Sequence, residues 1–201
     1  MVYSPQLPRT HRSFGIISLL GGLLGWIASF ILFNEYTASL RDSNHVTNCD
    51  LSSTISCSQN FGSSFGSLFG FSNTVLGLSL FIVPIVIGIL LIAEVYLPQW
   101  VRIGNVAGIF LAVLLTSYLQ WVSFTQLSTL CIYCFMIWTA VILLFWKSIA
   151  TIDSNSGFLS RPLSFIASNW WGLAVLHFLV ILGIGELTIR AVSELLSVIF
   201  S

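Results

Sequence analysis

Four cysteines supply all the thiol chemistry of this 201-residue chain, and they fall into two pairs. Cys131-Ile132-Tyr133-Cys134 is a C-x-x-C whose last cysteine runs straight into an apolar stretch. Cys49 and Cys57 stand eight positions apart in a polar segment between two long hydrophobic runs. At a helix start, the first cysteine of a C-x-x-C meets unpaired backbone N–H groups and the positive end of the helix dipole, which favour an anion. The thiolate is the nucleophile of disulfide exchange, so such a cysteine suits exchange chemistry. The second cysteine lies one turn on, near enough to close a small disulfide, and deeper in the apolar region. A lipid-soluble oxidant such as a quinone can meet it there. Two dithiols in one such chain point to electron transfer rather than to stapling.

Plainer readings stand beside this one. A buried cysteine can act simply as a small hydrophobe. A structural Cys49–Cys57 disulfide is plausible alone but leaves Cys131 and Cys134 unexplained. Four cysteines could hold zinc, yet structural zinc sites favour two short-spaced pairs in a soluble knuckle. Here one pair is widely spaced and the other enters a membrane-type helix, so no metal is expected.

The surrounding composition says what positions these thiols. The chain is 56% hydrophobic and 7% charged, with mean hydropathy +0.96. About a quarter of residues in soluble domains are charged, so the chain reads as an all-α polytopic membrane protein with one compact helical domain. Its formal net charge of zero gives no support for a nucleic-acid partner. Crossing a bilayer takes about 20 apolar residues, and five segments qualify: Phe14–Phe33, Asn73–Leu97 with Pro98 helping to end it, Ile103–Phe124, Cys131–Trp146 and Trp170–Ile189. The first follows Arg9, His11 and Arg12. It is too long for a signal-peptide core and lacks a small-x-small site after it, so a retained helix is expected.

Lysine and arginine set the expected orientation. Arg9, Arg12, Arg102, Lys147 and Arg161 fall on one side, Arg41 and Arg190 on the other. This bias predicts the N-terminus inside, with the 35–72 loop, the turn before Cys131 and the C-terminus outside. Both cysteine pairs then share the outer face, where disulfides persist. A bacterial inner (cytoplasmic) membrane is the expected location. The run Phe61–Ser72, FGSSFGSLFGFS, alternates aromatic with small residues. It suits a partly buried half-helix or re-entrant cap, since irregular backbone at membrane depth must be packed in protein.

The segment Cys49-Asp50-Leu51-Ser52-Ser53-Thr54-Ile55-Ser56-Cys57-Ser58 resembles the luminal loop of the vitamin K epoxide reductase (VKOR) family, with its C-D start and its spacer between cysteines. The resemblance continues through Phe61, Gly66, Phe69-Gly70, Ser72-Asn73 and Thr74-Val75-Leu76-Gly77, and Cys131-Ile132-Tyr133-Cys134 takes the place of the redox C-x-x-C. It covers roughly residues 14–150. It implies a single membrane domain over residues 1–201: a four-helix bundle around a quinone (core 14–150), an outer redox loop (35–72) and a fifth helix (about 170–189).

By the same resemblance, Cys49 meets a thioredoxin-like (DsbA-type) partner, Cys57 exchanges with Cys131, and Cys134 faces the quinone. The acceptor would be of menaquinone, ubiquinone or phylloquinone type, drawn from the membrane's lipid and quinone pool. Asn73 would hydrogen-bond a quinone carbonyl, with Ser72 beside it and Phe61 in the cap; read by itself, Asn73 is equally a helix cap. Trp138 stands where animal members carry a tyrosine as a second quinone hydrogen bond. That departure, with a shorter segment near Gly70–Ser72, fits a bacterial-type member that reduces quinone. The chain stops at Ser201 without a fused thioredoxin domain, so a separate partner is expected.

In the fifth helix, Glu186 and Arg190 are spaced to pair. His177 falls near mid-membrane, where ionisable groups are functional candidates by default. Its expected role is structural, donating to a bundle carbonyl. The resulting expectation is a membrane thiol:quinone oxidoreductase that supports disulfide formation in exported proteins, with an exposed first site at Cys49 and a buried last site at Cys134. Two alternatives remain: a vitamin K epoxide or quinone reductase of a quinone cycle, and a non-catalytic transporter or assembly protein with a structural loop disulfide.

Overall fold

A computed structural model describes residues 9–42, 44–151 and 160–190, with Ser193 and Leu196. The side chains of Arg9, His11 and Arg161, and the terminal residue Ser201, lie outside the described residues. The chain is an all-α membrane protein. Its helices are α1 (Arg9–Arg41), α2 (Ser58–Gly62), α3 (Asn73–Leu80), α4 (Ile82–Ile92), α5 (Gln99–Val122), α6 (Ile132–Ile149) and α7 (Ser160–Ile189). A 3-10 turn (Ser64–Ser67) follows α2, and a π turn (Ser123–Leu127) ends α5. Among the described residues, five spans are long and apolar enough to cross a membrane: Arg12–Arg41, Asn73–Ile92, Gln99–Leu127, Ile132–Ile149 and Pro162–Ile189.

Several helix boundaries depart from the hydropathy reading for identifiable reasons. The second span breaks at Phe81 into α3 and α4. Pro84 has no N–H to give to the carbonyl four residues back, and its ring crowds that turn. The Pro84 carbonyl also accepts from the Ser18 hydroxyl of α1, at 2.9 Å, tying the broken span to α1. This span ends at Ile92 rather than Leu97, because Glu94 turns the chain with φ 58°. Pro98 therefore does not end it; it is the N-cap of α5. The first span runs well past Phe33, to Arg41. In α7, Asn169 interrupts the helix with φ −118° and ψ 15°.

Close approach of α1 and α4 sets the frame of the bundle. A Cβ on Gly88 would stand 2.6 Å from the Leu19 nitrogen and 2.8 Å from the Gly15 carbonyl oxygen. Small residues at such crossings let backbones meet where lipid offers no hydrophobic drive. Around this pair, α5 and α6 close one core with Phe81, Ile109, Val141 and Leu144. α7 packs on the outside of α6 through Ala174, Ile181 and Phe178. His177 sits in that seam as the acceptor, not the donor: the Trp146 indole N–H donates to its Nδ1 at 3.3 Å. At the end of α7, the Glu186 carboxylate accepts from the Ser193 amide at 3.1 Å, and Arg190 adopts a left-handed φ of 52°.

Candidate active site

The loop between α1 and α3 folds back onto the bundle as a small, hydrogen-bonded platform. Its anchor is a parallel bridge between Ile55 and Leu130. The Leu130 amide donates to the Thr54 carbonyl at 2.7 Å, and the Ser56 amide donates to the Leu130 carbonyl at 3.2 Å. The bridge brings Cys57 and Cys131 together from positions far apart in the chain. Leu130 can reach it because α5 unwinds through the π turn and Ser128 takes φ 52°, which reverses the chain ahead of Cys131. The Ser123 hydroxyl braces that reversal by donating to the Thr129 carbonyl. From α2, the Asn60 amide ties the two strands further, donating to the Ser56 carbonyl at 3.1 Å and the Thr129 hydroxyl at 3.2 Å.

Cys49 and Cys57 are joined as a disulfide, with Cα atoms 5.8 Å apart. Cys131 and Cys134 are free thiols. Cys131 Sγ lies 3.0 Å from Cys57 Sγ, and the sulfurs of Cys49, Cys57 and Cys131 all fall within 4.8 Å of one another. A zinc site would need these sulfurs as thiolates, whereas two of the three are bonded to each other. Cys131 is the N-cap of α6, and its sulfur accepts from the Cys134 amide at 3.3 Å. The helix start thus directs a backbone donor at the sulfur that faces the disulfide.

Asp50 organises the loop side of this contact. One carboxylate oxygen accepts from the Cys57 amide at 2.8 Å, the Ser58 amide at 3.1 Å and the Ser56 hydroxyl at 2.8 Å. Partial burial pushes the Asp50 pKa up. The neighbouring hydroxyls of Thr47, Ser56 and Ser58, with the Ser58 amide, outweigh that and hold it at about 2. Asp50 is therefore a charged, ordered clamp on the backbone that carries Cys57.

Below the sulfurs lies a cavity of about 450 Å³. It runs between α3, α4, α5 and α6, and no charged side chain is among the described residues that line it. Cys134, Trp138, Asn73, Phe61 and Phe65 line its upper part. A planar, neutral, lipid-soluble ring fits this chemistry: apolar walls, a few hydrogen-bonding groups, and a thiol at one end.

A family model of the Vitamin K epoxide reductase family matches residues 16–149. The chain belongs to the VKOR family. A curated relative, Vitamin K epoxide reductase complex subunit 1 of Mus musculus, is 29% identical over 138 residues, covering 62% of this chain and 82% of that protein. The matched region holds α1 from residue 16 on, α2 to α6, the platform, all four cysteines and every cavity-lining residue, while α7 lies beyond it. Membership in the VKOR family supports a membrane oxidoreductase linked to quinones.

The structure brings three of the four residues expected at the ring, Asn73, Phe61 and Trp138, into the cavity with Cys134. The fourth, Ser72, is not a lining residue: it is buried as the N-cap of α3, its oxygen receiving the Thr74 amide. The Asn73 side chain is already engaged with the cap, donating to the Phe65 carbonyl at 2.7 Å and accepting from the Leu68 amide at 3.2 Å. Its second N–H has no partner among the described residues. Trp138 is 3% exposed and packs edge-to-face on Phe124 at 5.8 Å. Its indole N–H has no hydrogen-bond partner among the described residues. Phe61 packs edge-on against Tyr36 of α1.

One expectation changes. Cys49 is not an exposed first site; it is 2% exposed, packed in a cluster with Leu32, Cys57 and Cys131. The arm before it is held to α1 by Glu35, itself buried, whose carboxylate meets His45 Nε2 at 2.8 Å and Asn48 Nδ2 at 2.6 Å. Asp50, Asn60 and Glu35 escaped the sequence reading as functional residues. Asp50 stood inside the quoted loop segment, but its three donors converge only once Ile55 pairs with Leu130.

Proposed function

We propose that the chain is a membrane thiol:quinone oxidoreductase that oxidises a separate thioredoxin-like, DsbA-type protein and so supports disulfide formation in exported proteins. The observation that carries this reading is the contact of Cys131 with Cys57 directly above a cavity lined by Cys134. The geometry suits a chain of exchanges, each conserving electrons. A reduced partner's thiolate attacks Cys49, releasing Cys57 as thiolate, and the partner's second thiol resolves the mixed disulfide. Cys57 then attacks an oxidised Cys131–Cys134 pair at Cys131, and Cys134 leaves as thiolate. Attack of Cys49 on Cys57 displaces Cys131, restoring the loop disulfide and leaving the C-x-x-C reduced. Two electrons and two protons pass from Cys131 and Cys134 to the quinone, giving quinol and re-forming the Cys131–Cys134 disulfide. In this reading, a chain with the loop disulfide closed and Cys131 and Cys134 as thiols stands ready for that last transfer.

In this reading Cys134 faces the ring, the free N–H of Asn73 and the indole of Trp138 donate to its carbonyls, and Phe61 closes the cap above it. Ser72 acts indirectly, by capping α3 and fixing Asn73. The cysteine end of the bundle faces outside, as the lysine and arginine bias supports, with the N-terminus inside a bacterial inner membrane. The arm latched by Glu35 lifts to admit the partner to Cys49. The test is anaerobic turnover with a reduced thioredoxin-like protein and purified ubiquinone, menaquinone and phylloquinone, following quinone absorbance. Activity that survives in Cys131→Ser would sink the reading. Turnover of vitamin K epoxide by the same protein would favour the quinone-cycle alternative.

A further inference from the structure

The cavity does not end at the ring site. It continues down α5 to Trp100, at the opposite end of the bundle from the cysteines. Asn105 lines this lower part and is 8% exposed, yet its side-chain amide has no hydrogen-bond partner among the described residues. From Asn105 to Val122, level with the platform, is about 25 Å along the helix at ~1.5 Å per residue. An unpaired amide in an apolar membrane groove is unfavourable unless something there bonds it.

The wall beside it is shaped for a flat occupant. Gly104 and Gly108 line the groove one turn apart, and a Cβ added at either would meet nothing within 4 Å. This small-residue face, of a kind that elsewhere packs helices together, opens here onto the cavity opposite Pro84 and Ile87 of α4. With no charged lining residue, a phosphate-bearing headgroup has no counter-ion. A hydrocarbon tail has no acceptor for the amide. A quinone ring has both a flat face and a carbonyl.

We propose that Asn105, with Gly104 and Gly108 as the floor, forms a second docking position for the quinone ring, occupied on the way between the far leaflet and Cys134. The proposal rests on the quinone reading above and concerns only binding.

The test uses the full chain in phosphatidylcholine nanodiscs with a short-tailed quinone bearing an azide on its ring. Labels are mapped by mass spectrometry beside a quinone-reduction assay. Two clusters of labels are expected, one around Cys134 and Trp138 and one around Gly104–Gly108. Asn105→Leu should lower the far cluster about fivefold, as loss of one hydrogen bond implies, with the near cluster and the thermal midpoint maintained. Gly108→Leu, which fills open space, should remove the far cluster too. Near labels and turnover without far labels in the wild-type protein would overturn this proposal alone. Far labels that persist in Asn105→Leu would also overturn it, as would labelling there only by a quinone carrying the reactive group on its tail. Absence of labels everywhere, with no quinone reduction, would overturn both this proposal and the acceptor assignment.

Discussion

Cys131 Sγ stands 3.0 Å from Cys57 Sγ while Cys57 is itself bonded to Cys49. Three sulfurs so placed define an exchange in which Cys57 is the shared atom. Replacing the cysteine at either end of the proposed four-cysteine relay should strand the intermediate. Cys134→Ser and Cys49→Ser are each expected to accumulate a Cys57–Cys131 disulfide, seen by non-reducing peptide mapping after rapid alkylation. Cys131→Ser should show no such species and no quinone reduction above background.

Asp50 holds the Ser56–Ser58 segment around Cys57 with three hydrogen bonds to one oxygen. Asp50→Asn keeps an acceptor but loses the charge, and should slow Cys57–Cys131 exchange about fivefold, the scale of one hydrogen bond. The folded pKa of about 2 lies below the ordinary 3.8, so the folded state favours the ionised form. Its stabilising effect is complete above the ordinary value and is lost as pH falls from there through about 2. Thermal midpoints of wild type and Asp50→Asn should differ near neutral pH and converge over that acidic window.

Asn73 bonds both the Phe65 carbonyl and the Leu68 amide of the cap. Asn73→Leu removes both bonds, whereas Asn73→Asp keeps only the acceptor. The expected order of quinone KM is wild type, then Asp, then Leu, with about a tenfold rise at Leu for the two lost bonds. Hydrogen exchange at the Leu68 amide should accelerate in Asn73→Leu and stay slow in Asn73→Asp.

Glu35 latches the arm that leads into Cys49. Glu35→Ala leaves His45 and Asn48 without that partner and should free the arm. The rate at which a bulky phosphine reduces the Cys49–Cys57 disulfide is expected to rise about tenfold, the scale of the bonds removed. An unchanged rate would mean that Glu35 does not govern access.

What the sequence disclosed and what it withheld divide along physical lines. Periodic, membrane-length apolar runs exposed the five spans, since a bilayer tolerates little else. The spacing of Cys49, Cys57, Cys131 and Cys134 marked them as the candidate redox groups, because thiol chemistry is confined to one residue type. Pro84 was visible, and its missing N–H accounts for the break near Phe81, but the bond from Ser18 of α1 to the Pro84 carbonyl appears only once the helices pack. The burial of Cys49 was hidden because it comes from Leu32 and from the Glu35 latch, contacts that exist only when the loop has folded back. Ser72 was adjacent to Asn73 in sequence, yet helix geometry turned one toward the cap and the other into a capping role. Asn105 carried a signal, a lone amide in an apolar run, but only the groove's course gave it meaning.

The two-residue pairing of Ile55 with Leu130 works as a ruler. Cys57 is two positions beyond one of its members and Cys131 one position beyond the other. Side chains along extended chain alternate sides, so a one-residue slip would turn a sulfur away from its target. The relay should therefore tolerate many side-chain changes in the platform but no change in count between the pairing and either cysteine. Inserting a single glycine after Ser56 would leave every reactive group present and the circuit open.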